Sequence, residues 1–126
     1  MNSNSLGTTA LAFMGDAIYE VYVRRYCLES GRTAADKLHR YSIRYVNAGA
    51  QAKVMRVVLD SLSSEDQLLV KRARNRKPKT VPKNADPVDY RLATAMEALM
   101  GHYYLADRTE ELDAFVKRAI EIIEEK

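Results

Sequence analysis

The sequence predicts an all-α fold of about six to seven helices in a single domain covering residues 1–126. Apolar residues recur at intervals of three, four and seven, and capping residues and prolines mark the expected helix ends. Strand-like alternation of apolar and polar residues is not seen. A chain of 126 residues can bury enough apolar surface to fold without disulfides or a structural metal.

The first helix is expected to begin at a Thr8 or Thr9 cap and to end near Glu29, followed by Ser30-Gly31. Its apolar positions recur at helical spacing and comprise Leu11, Met14, Ile18, Val21 and Leu28. Residues 1–6 are expected to be a flexible start. The single cysteine, Cys27, is surrounded by apolar neighbours, which favours a core residue over a reactive thiol.

Capping residues mark the remaining helix starts. Thr33 and Asn47 are expected to cap the second and third helices, and Ser64 with Gln67 has the spacing of a capping box for the fourth. Asp86-Pro87 predicts a fifth helix that runs to about Leu105.

A last helix is expected near Asp107, because Asp107 and Glu110 again have capping-box spacing. Pro78 and Pro82 are expected to keep residues 77–86 non-helical. This is the only long irregular segment, and long loops inside small domains are often functional.

Charge is distributed unevenly along the chain. The net charge is +3, but residues 1–70 carry +1, residues 71–83 carry +7 and residues 84–126 carry −5. A local basic block is typical of a polyanion contact, although a solvated loop is the alternative. Its members, the candidate RNA-binding residues, are Lys71, Arg72, Arg74, Arg76, Lys77, Lys79 and Lys83.

Two acidic residues lie in otherwise apolar helical segments, each near a glycine. Asp16 follows Gly15, and Glu97 precedes Gly101 by one helical turn. If the glycines allow the two helices to pack closely, the carboxylates could share a hard cation such as Mg²⁺. The alternative is that each acid pairs with an arginine at the surface.

These segments carry a resemblance to a known family. Residues 10–18, ALAFMGDAI, resemble the signature helix of the ribonuclease III catalytic domain, and residues 97–101, EALMG, resemble its second acidic motif. The likeness covers about residues 6–123. The segments 72–75 and 82–84, with the chain length, make it most similar to Mini-ribonuclease III, the short bacterial branch without a double-stranded-RNA-binding domain.

The resemblance implies a metal-dependent endoribonuclease that hydrolyses double-stranded RNA and leaves 5′-phosphate and 3′-hydroxyl ends. Asp16 and Glu97 would be the catalytic, metal-binding pair for Mg²⁺, with Mn²⁺ as a substitute. Ala12 and Thr94 stand where the family usually has acids, so Glu20 and Thr94 are candidate additional ligands. His39 and His102 are expected to be incidental, although His102 could reach a phosphate.

The same resemblance implies a substrate and partners. The branch is associated with maturation of large-subunit (23S) ribosomal RNA precursors, and a ribosomal protein is a candidate accessory partner. The family works as a homodimer, and Phe13 matches the aromatic residue at that interface; a core position is its alternative.

Two other functions remain open on the sequence. Ala12 and Thr94 would also suit a catalytically silent, ribosome-associated RNA-binding relative, and a helical interaction protein with an acidic partner is a weaker possibility. No apolar run approaches the roughly 20 residues of a membrane span, and the polar start does not resemble a signal peptide. A cytoplasmic protein with no membrane partner is therefore expected.

Overall fold

The computed structural model describes residues 5–78 and 80–125. Within these ranges there is no strand, and the helices confirm the predicted all-α fold. A 3-10 turn, Leu59–Ser61, lies between the third and fourth α-helices. The six α-helices are α1 (Thr8–Glu29), α2 (Ala35–Val46), α3 (Ala48–Val58), α4 (Ser64–Asn75), α5 (Pro87–Leu105) and α6 (Thr109–Glu124). No helix in the described ranges combines the length and apolarity that crossing a membrane requires.

Helix α5 lies at the centre of the molecule. Helices α1, α3 and α4 pack against it, and α6 follows from its end. A helix that is covered on several sides is apolar around most of its circumference. The middle of α5 shows this pattern, with five residues almost fully shielded from solvent: Ala95, Met96, Ala98, Leu99 and Met100.

Helices α1 and α5 touch backbone to backbone where two glycines face each other. A methyl carbon added at Gly15 would lie 1.7 Å from the Glu97 carbonyl oxygen. One added at Gly101 would lie 2.0 Å from the Leu11 carbonyl oxygen. Both distances are far below any van der Waals contact, so no residue larger than glycine fits at either position. The close approach expected from these glycines is confirmed.

The buried face of α1 differs from the predicted one. Leu11 is buried as expected, but Val21 and Leu28 are exposed. The face that meets the rest of the protein instead contains the small residues at the α5 crossing, with Tyr19 and Cys27 further along. Helix α1 turns its small residues toward α5 because this face allows the two helices to approach most closely. Cys27 is buried, which confirms its core placement.

Two predicted helix starts are confirmed by their hydrogen bonds. The Asn47 side chain accepts from the Ala50 amide at 2.8 Å, and it caps α3. The Asp86 side chain accepts from the amides of Val88 and Asp89 at 2.8 and 3.1 Å at the start of α5. Each side chain takes up amide protons that a helix start otherwise leaves unpaired.

The caps predicted for α1 and α2 are wrong. Helix α1 begins at Thr8 with Gly7 at the N-cap, so both threonines lie inside the helix. Helix α2 begins at Ala35 with Ala34 at the N-cap, one residue beyond the start that a Thr33 cap implies. Neither N-cap residue makes a side-chain capping bond. These starts are therefore set by packing of the helices rather than by a local cap.

The capping boxes predicted for α4 and α6 are also wrong. Ser63, not Ser64, caps α4 by accepting from the Asp66 amide, and Gln67 donates to the carbonyls of Leu62 and Asp60. Arg108 is the N-cap residue of α6, and Asp107 has a φ of 58°, a left-handed conformation used in the turn between helices.

A buried acid explains the shifted start of α4. The Asp66 side chain is only 4% exposed and accepts from the Tyr103 hydroxyl at 2.7 Å and from Arg108 at 3.3 Å. Arg108 also pairs with Glu111. A buried carboxylate is tolerated when it is paired and hydrogen-bonded in this way. The hydrogen bonds of Asp66 with Tyr103 and Arg108 hold the start of α4 against the end of α5.

The glycine contact predicts a large effect of one methyl group. Gly101→Ala is expected to lower the free energy of unfolding by at least about 2 kcal/mol, because a rigid backbone carbonyl must move aside. Urea denaturation measures this value. Gly7→Ala is the control, since nothing lies within 4 Å of its added carbon. Equal stability of the Gly101→Ala variant and the parent would contradict the close contact.

Candidate active site

The α1–α5 crossing determines where the two acidic residues lie. At this crossing the backbone of Gly15 on α1 lies directly against the backbone carbonyl of Glu97 on α5. Asp16 follows Gly15 on α1, so both acids belong to the crossing. The side chains of Asp16 and Glu97 consequently meet at the side of this contact, close enough to interact directly. Both side chains line one cleft, and their sharing of a cation stays a prediction.

The two carboxyl groups have different surroundings. Asp16 is exposed, whereas Glu97 is partly buried. Burial raises the pKa of Glu97, and the hydrogen bond and negative charge of Asp16 raise it further, to about 8. Near neutral pH the pair therefore favours holding a proton between them. A cation at the same place would replace that proton.

A cleft of about 510 Å³ opens beside the carboxylates. It is formed by the start of α1, the end of α4, the segment after α4 and the first half of α5. Its walls carry hydroxyl groups from Thr8, Thr9, Thr80, Thr94 and Tyr90, and positive charge from Arg76, Lys77 and Arg91. A polyanion could enter between these cations and reach the acids.

The donor set fits a hydrated divalent cation. Mg²⁺ is commonly held by one or two carboxylates and keeps several water ligands. Asp16 and Glu97 supply two carboxylates, and no cluster of three or more His, Cys, Asp or Glu occurs in the part of the chain that the structure describes. Water or other oxygen atoms of the cleft would therefore complete the coordination of a metal bound here.

The two candidate helper residues lie in different surroundings. The Glu20 carboxylate pairs with Arg24 at 3.1 Å, one turn along α1. Thr94 lines the cleft, but its hydroxyl donates to the Tyr90 carbonyl at 3.0 Å. Thr94 still offers an oxygen lone pair to the cleft, whereas Glu20 would first have to leave its arginine.

The basic residues line more than one groove of the protein. Arg76 and Lys77 line the cleft, but Arg72 lines a separate groove with His102. Lys71 and Lys83 are exposed, and Arg74 is partly buried beside Asn75. Lys79 lies outside the described residues. The end of α4 therefore directs positive charge both toward the cleft and away from it.

Phe13 is 82% exposed and lies at the edge of the cleft. This excludes the core position that was its alternative. The two histidines lie elsewhere: His39 lines a groove between α1 and α2, and His102 lies 3.2 Å from an Arg108 nitrogen. Burial lowers the pKa of His102, as does the Arg108 charge. Neither histidine lines the cleft.

Sequence reasoning missed Arg91. It lines the cleft from α5, six positions before Glu97. Arg91 is the one Lys or Arg within residues 87–105, which is a signal that the sequence contains. Its significance depends on its neighbours, and these become visible only in the folded chain.

Comparison with known proteins agrees with this geometry. Residues 9–108 match the Ribonuclease III domain family, a range that includes both acidic motifs. The chain belongs to the ribonuclease III family. As a member of this family, it is an endoribonuclease, and the family is generally dependent on divalent metals.

Relatives within the ribonuclease III family match almost the whole chain. Mini-ribonuclease 3 from Symbiobacterium thermophilum is 41% identical over 98% of this chain and 95% of its own length. Mini-ribonuclease 3 from Enterococcus faecalis is 42% identical over 95% and 92%. The crystal structure of a Fusobacterium nucleatum protein superposes with a TM-score of 0.83, at 34% identity over 91% and 92%.

The interaction of Asp16 with Glu97 predicts that the stability of the metal-free protein depends on pH. Because the pKa of Glu97 is raised from 4.5 to about 8 on folding, the folded state binds more protons between these values. Stability should therefore fall as pH rises from 5 to 9. Glu97→Gln should lose this dependence and melt at a higher temperature than the parent at pH 9.

Melting curves in a chelator, and again with Mg²⁺, measure both effects. Mg²⁺ should raise the melting temperature of the parent more than that of Glu97→Gln. Glu121→Gln, an exposed acid on α6, is the matched control and should follow the parent. A parent that gains nothing from Mg²⁺ would argue against a cation at this pair.

Proposed function

We propose that this chain cuts double-stranded RNA at the Asp16–Glu97 pair with the help of a divalent cation, Mg²⁺ or Mn²⁺. The observation that carries the proposal is the convergence of the two carboxylates beside a cleft with cationic walls. The natural substrate that we propose is the precursor of 23S ribosomal RNA. Its support is the similarity to relatives named Mini-ribonuclease 3. A cytoplasmic location follows from that substrate.

The chain's own residues would perform distinct tasks in hydrolysis. When bound, the cation would lower the pKa of a water and neutralise charge that develops on the phosphate. Asp16, which is exposed, offers its oxygens to the cleft, and Glu97 holds the second carboxylate at a fixed position because its backbone is locked against Gly15. The products would carry 5′-phosphate and 3′-hydroxyl ends.

Affinity for RNA would come mainly from the basic residues at the end of α4 and beyond. Arg76 and Lys77 are placed to contact the strand that enters the cleft. Such contacts release counterions and carry little sequence information. This mode suits A-form RNA, whose deep major groove side chains cannot read.

A catalytically silent RNA-binding protein, which would be an exception within this family of endoribonucleases, is the second candidate. It is favoured by Ala12, which is buried beside the cleft where the family usually has an acid, and by the hydroxyl at Thr94. A site with only two carboxylates binds a cation less tightly than one with four. Cleavage of a duplex decides between the two candidates.

We also propose that two copies of the chain associate through the exposed side of α1. Phe13, Val21 and Leu28 are large apolar residues exposed on this one helix. Water contact with so much apolar surface is costly, and a second copy would remove it. Because Phe13 also borders the cleft, each active site would lie at the edge of the dimer interface.

A cleavage assay tests the enzyme. With Mg²⁺ the parent should cut a long RNA duplex, and Asp16→Asn should reduce the rate at least about 100-fold while binding the duplex with nearly parental affinity. Asn has almost the shape of Asp but lacks the charge. Gel analysis of the products, with end mapping, measures the rate and the end chemistry. A parent that cuts nothing with any divalent metal would leave the silent relative as the function.

Sedimentation tests the dimer. Phe13→Ala should raise the dimer dissociation constant about tenfold or more, because an exposed phenylalanine at an interface often carries a large share of the affinity. Val57→Ala, an exposed apolar residue on α3, is the control and should leave the dimer unchanged. Equal dissociation constants for the parent and Phe13→Ala would move the interface elsewhere.

A further inference from the structure

Arg91 is a partly buried cation in the cleft whose hydrogen-bonding capacity is not satisfied. It lines the same cleft as Asp16 and Glu97. Its Nε atom is shielded from solvent and has no hydrogen-bond partner among the described residues. Shielding a guanidinium nitrogen from water without a partner is unfavourable. Such a group indicates a ligand that supplies the missing acceptor.

The acids near Arg91 along the chain are already engaged. Asp89 pairs with Arg56 at 2.7 Å. Asp86 accepts from two amides as the N-cap of α5. Among the described residues, then, no ion pair neutralises Arg91.

The missing partner has the chemistry of a phosphate. A guanidinium is planar and always charged, and it donates two parallel hydrogen bonds that match the oxygens of a phosphate. The carboxylates in the same cleft would reject a carboxylate-rich ligand unless a cation covered them. A phosphodiester with a divalent cation satisfies both the arginine and the carboxylates at once.

The spacing along α5 suits a strand that runs past both groups. Six residues separate Arg91 from Glu97, which is about 9 Å along a helix axis. The arginine side chain is long, so the guanidinium group of Arg91 can lie much nearer to the Glu97 carboxylate than the helix positions do. A backbone phosphate held by Arg91 would therefore lie beside the carboxylate pair or at the adjacent linkage.

We propose that Arg91 binds a phosphodiester of the RNA strand in the cleft and positions the strand against the Asp16–Glu97 pair. This inference rests on the proposed function and adds a phosphate-binding residue to it. Arg91 differs in this role from the exposed Arg76 and Lys77. Its side chain is held partly buried, so it fixes the position of the phosphate rather than merely attracting it.

The test compares Arg91→Met, which keeps the aliphatic length, with Arg91→Lys and with Arg118→Met. Arg118 is an exposed arginine on α6 and is the matched control. Single-turnover cleavage at low protein concentration should fall about tenfold or more for Arg91→Met and less for Arg91→Lys, which keeps the charge but not the two-pronged geometry. Arg118→Met should match the parent.

Binding is measured separately in the Asp16→Asn background, where no strand is cut. Loss of one phosphate contact should reduce the slope of log affinity against log salt by about 1 in Arg91→Met. Duplexes with a single uncharged methylphosphonate linkage at successive positions should reveal one linkage that weakens binding of the Arg91 protein but not of Arg91→Met. A merely structural role for Arg91 would give no such position.

The outcomes separate this inference from the proposed function. A cleaving parent with an unchanged rate, salt slope and methylphosphonate pattern in Arg91→Met would overturn the role of Arg91 alone. A parent that does not cleave would overturn the proposed function, while the binding experiments would still test Arg91. If Arg91→Met melts at room temperature, Arg91→Lys decides: a parental cleavage rate in that variant would overturn the two-pronged contact.

Discussion

The contact between the backbones of α1 and α5 is the constraint on which the site depends. Gly15 and Gly101 remove the side chains that would otherwise hold the two helices apart, and the carbonyl oxygens of Glu97 and Leu11 occupy the space. Helix pairs are usually separated by 8–10 Å because side chains lie between them. Here the closer approach brings one acid from each helix to the same point. The convergence of the two acids therefore follows from the packing of two helices, and no loop is needed to position them.

Placing the carboxylates of Asp16 and Glu97 side by side has an electrostatic cost, which a bound cation would remove. Burial of Glu97, and then the neighbouring Asp16 carboxylate, disfavour the ionised form of Glu97, and both raise its pKa. Arg91 has the opposite defect on the same cleft, because its Nε atom has no acceptor among the residues that the structure describes. A cation and a phosphate together would relieve both. The protein by itself is therefore less well satisfied at this cleft than in its core, as is common for functional sites.

The sequence was sufficient where a local rule decides the structure. Asp86-Pro87 determines the start of α5 because the acid caps the amides and proline fits the first turn. The Gly15 and Gly101 contact was also predictable, since a glycine inside an apolar helix requires a reason. Asp16 and Glu97 could be predicted as site residues because each lies near one of these glycines.

The sequence was insufficient to predict the structure where residues far apart in the chain compete for the same group. Ser64 has the spacing of a cap, but Asp66 is drawn into a buried pair with Arg108, and Ser63 becomes the cap. Val21 and Leu28 follow the helical period of α1, yet α5 packs against another face. Arg91 could be seen in the sequence, but its missing partner could not. Each of these outcomes depends on contacts between residues far apart in the chain.

In the proposed dimer, the position of Phe13 would link assembly to catalysis. It stands on α1 three residues before Asp16, so a single rigid helix carries both the apolar contact surface and a carboxylate of the site. A helix does not bend within one turn, and any shift of the subunit contact would be transmitted to Asp16. The activity per subunit would then change with protein concentration, falling on dilution although every chain remained folded. Such an enzyme would be most active where its own abundance is greatest.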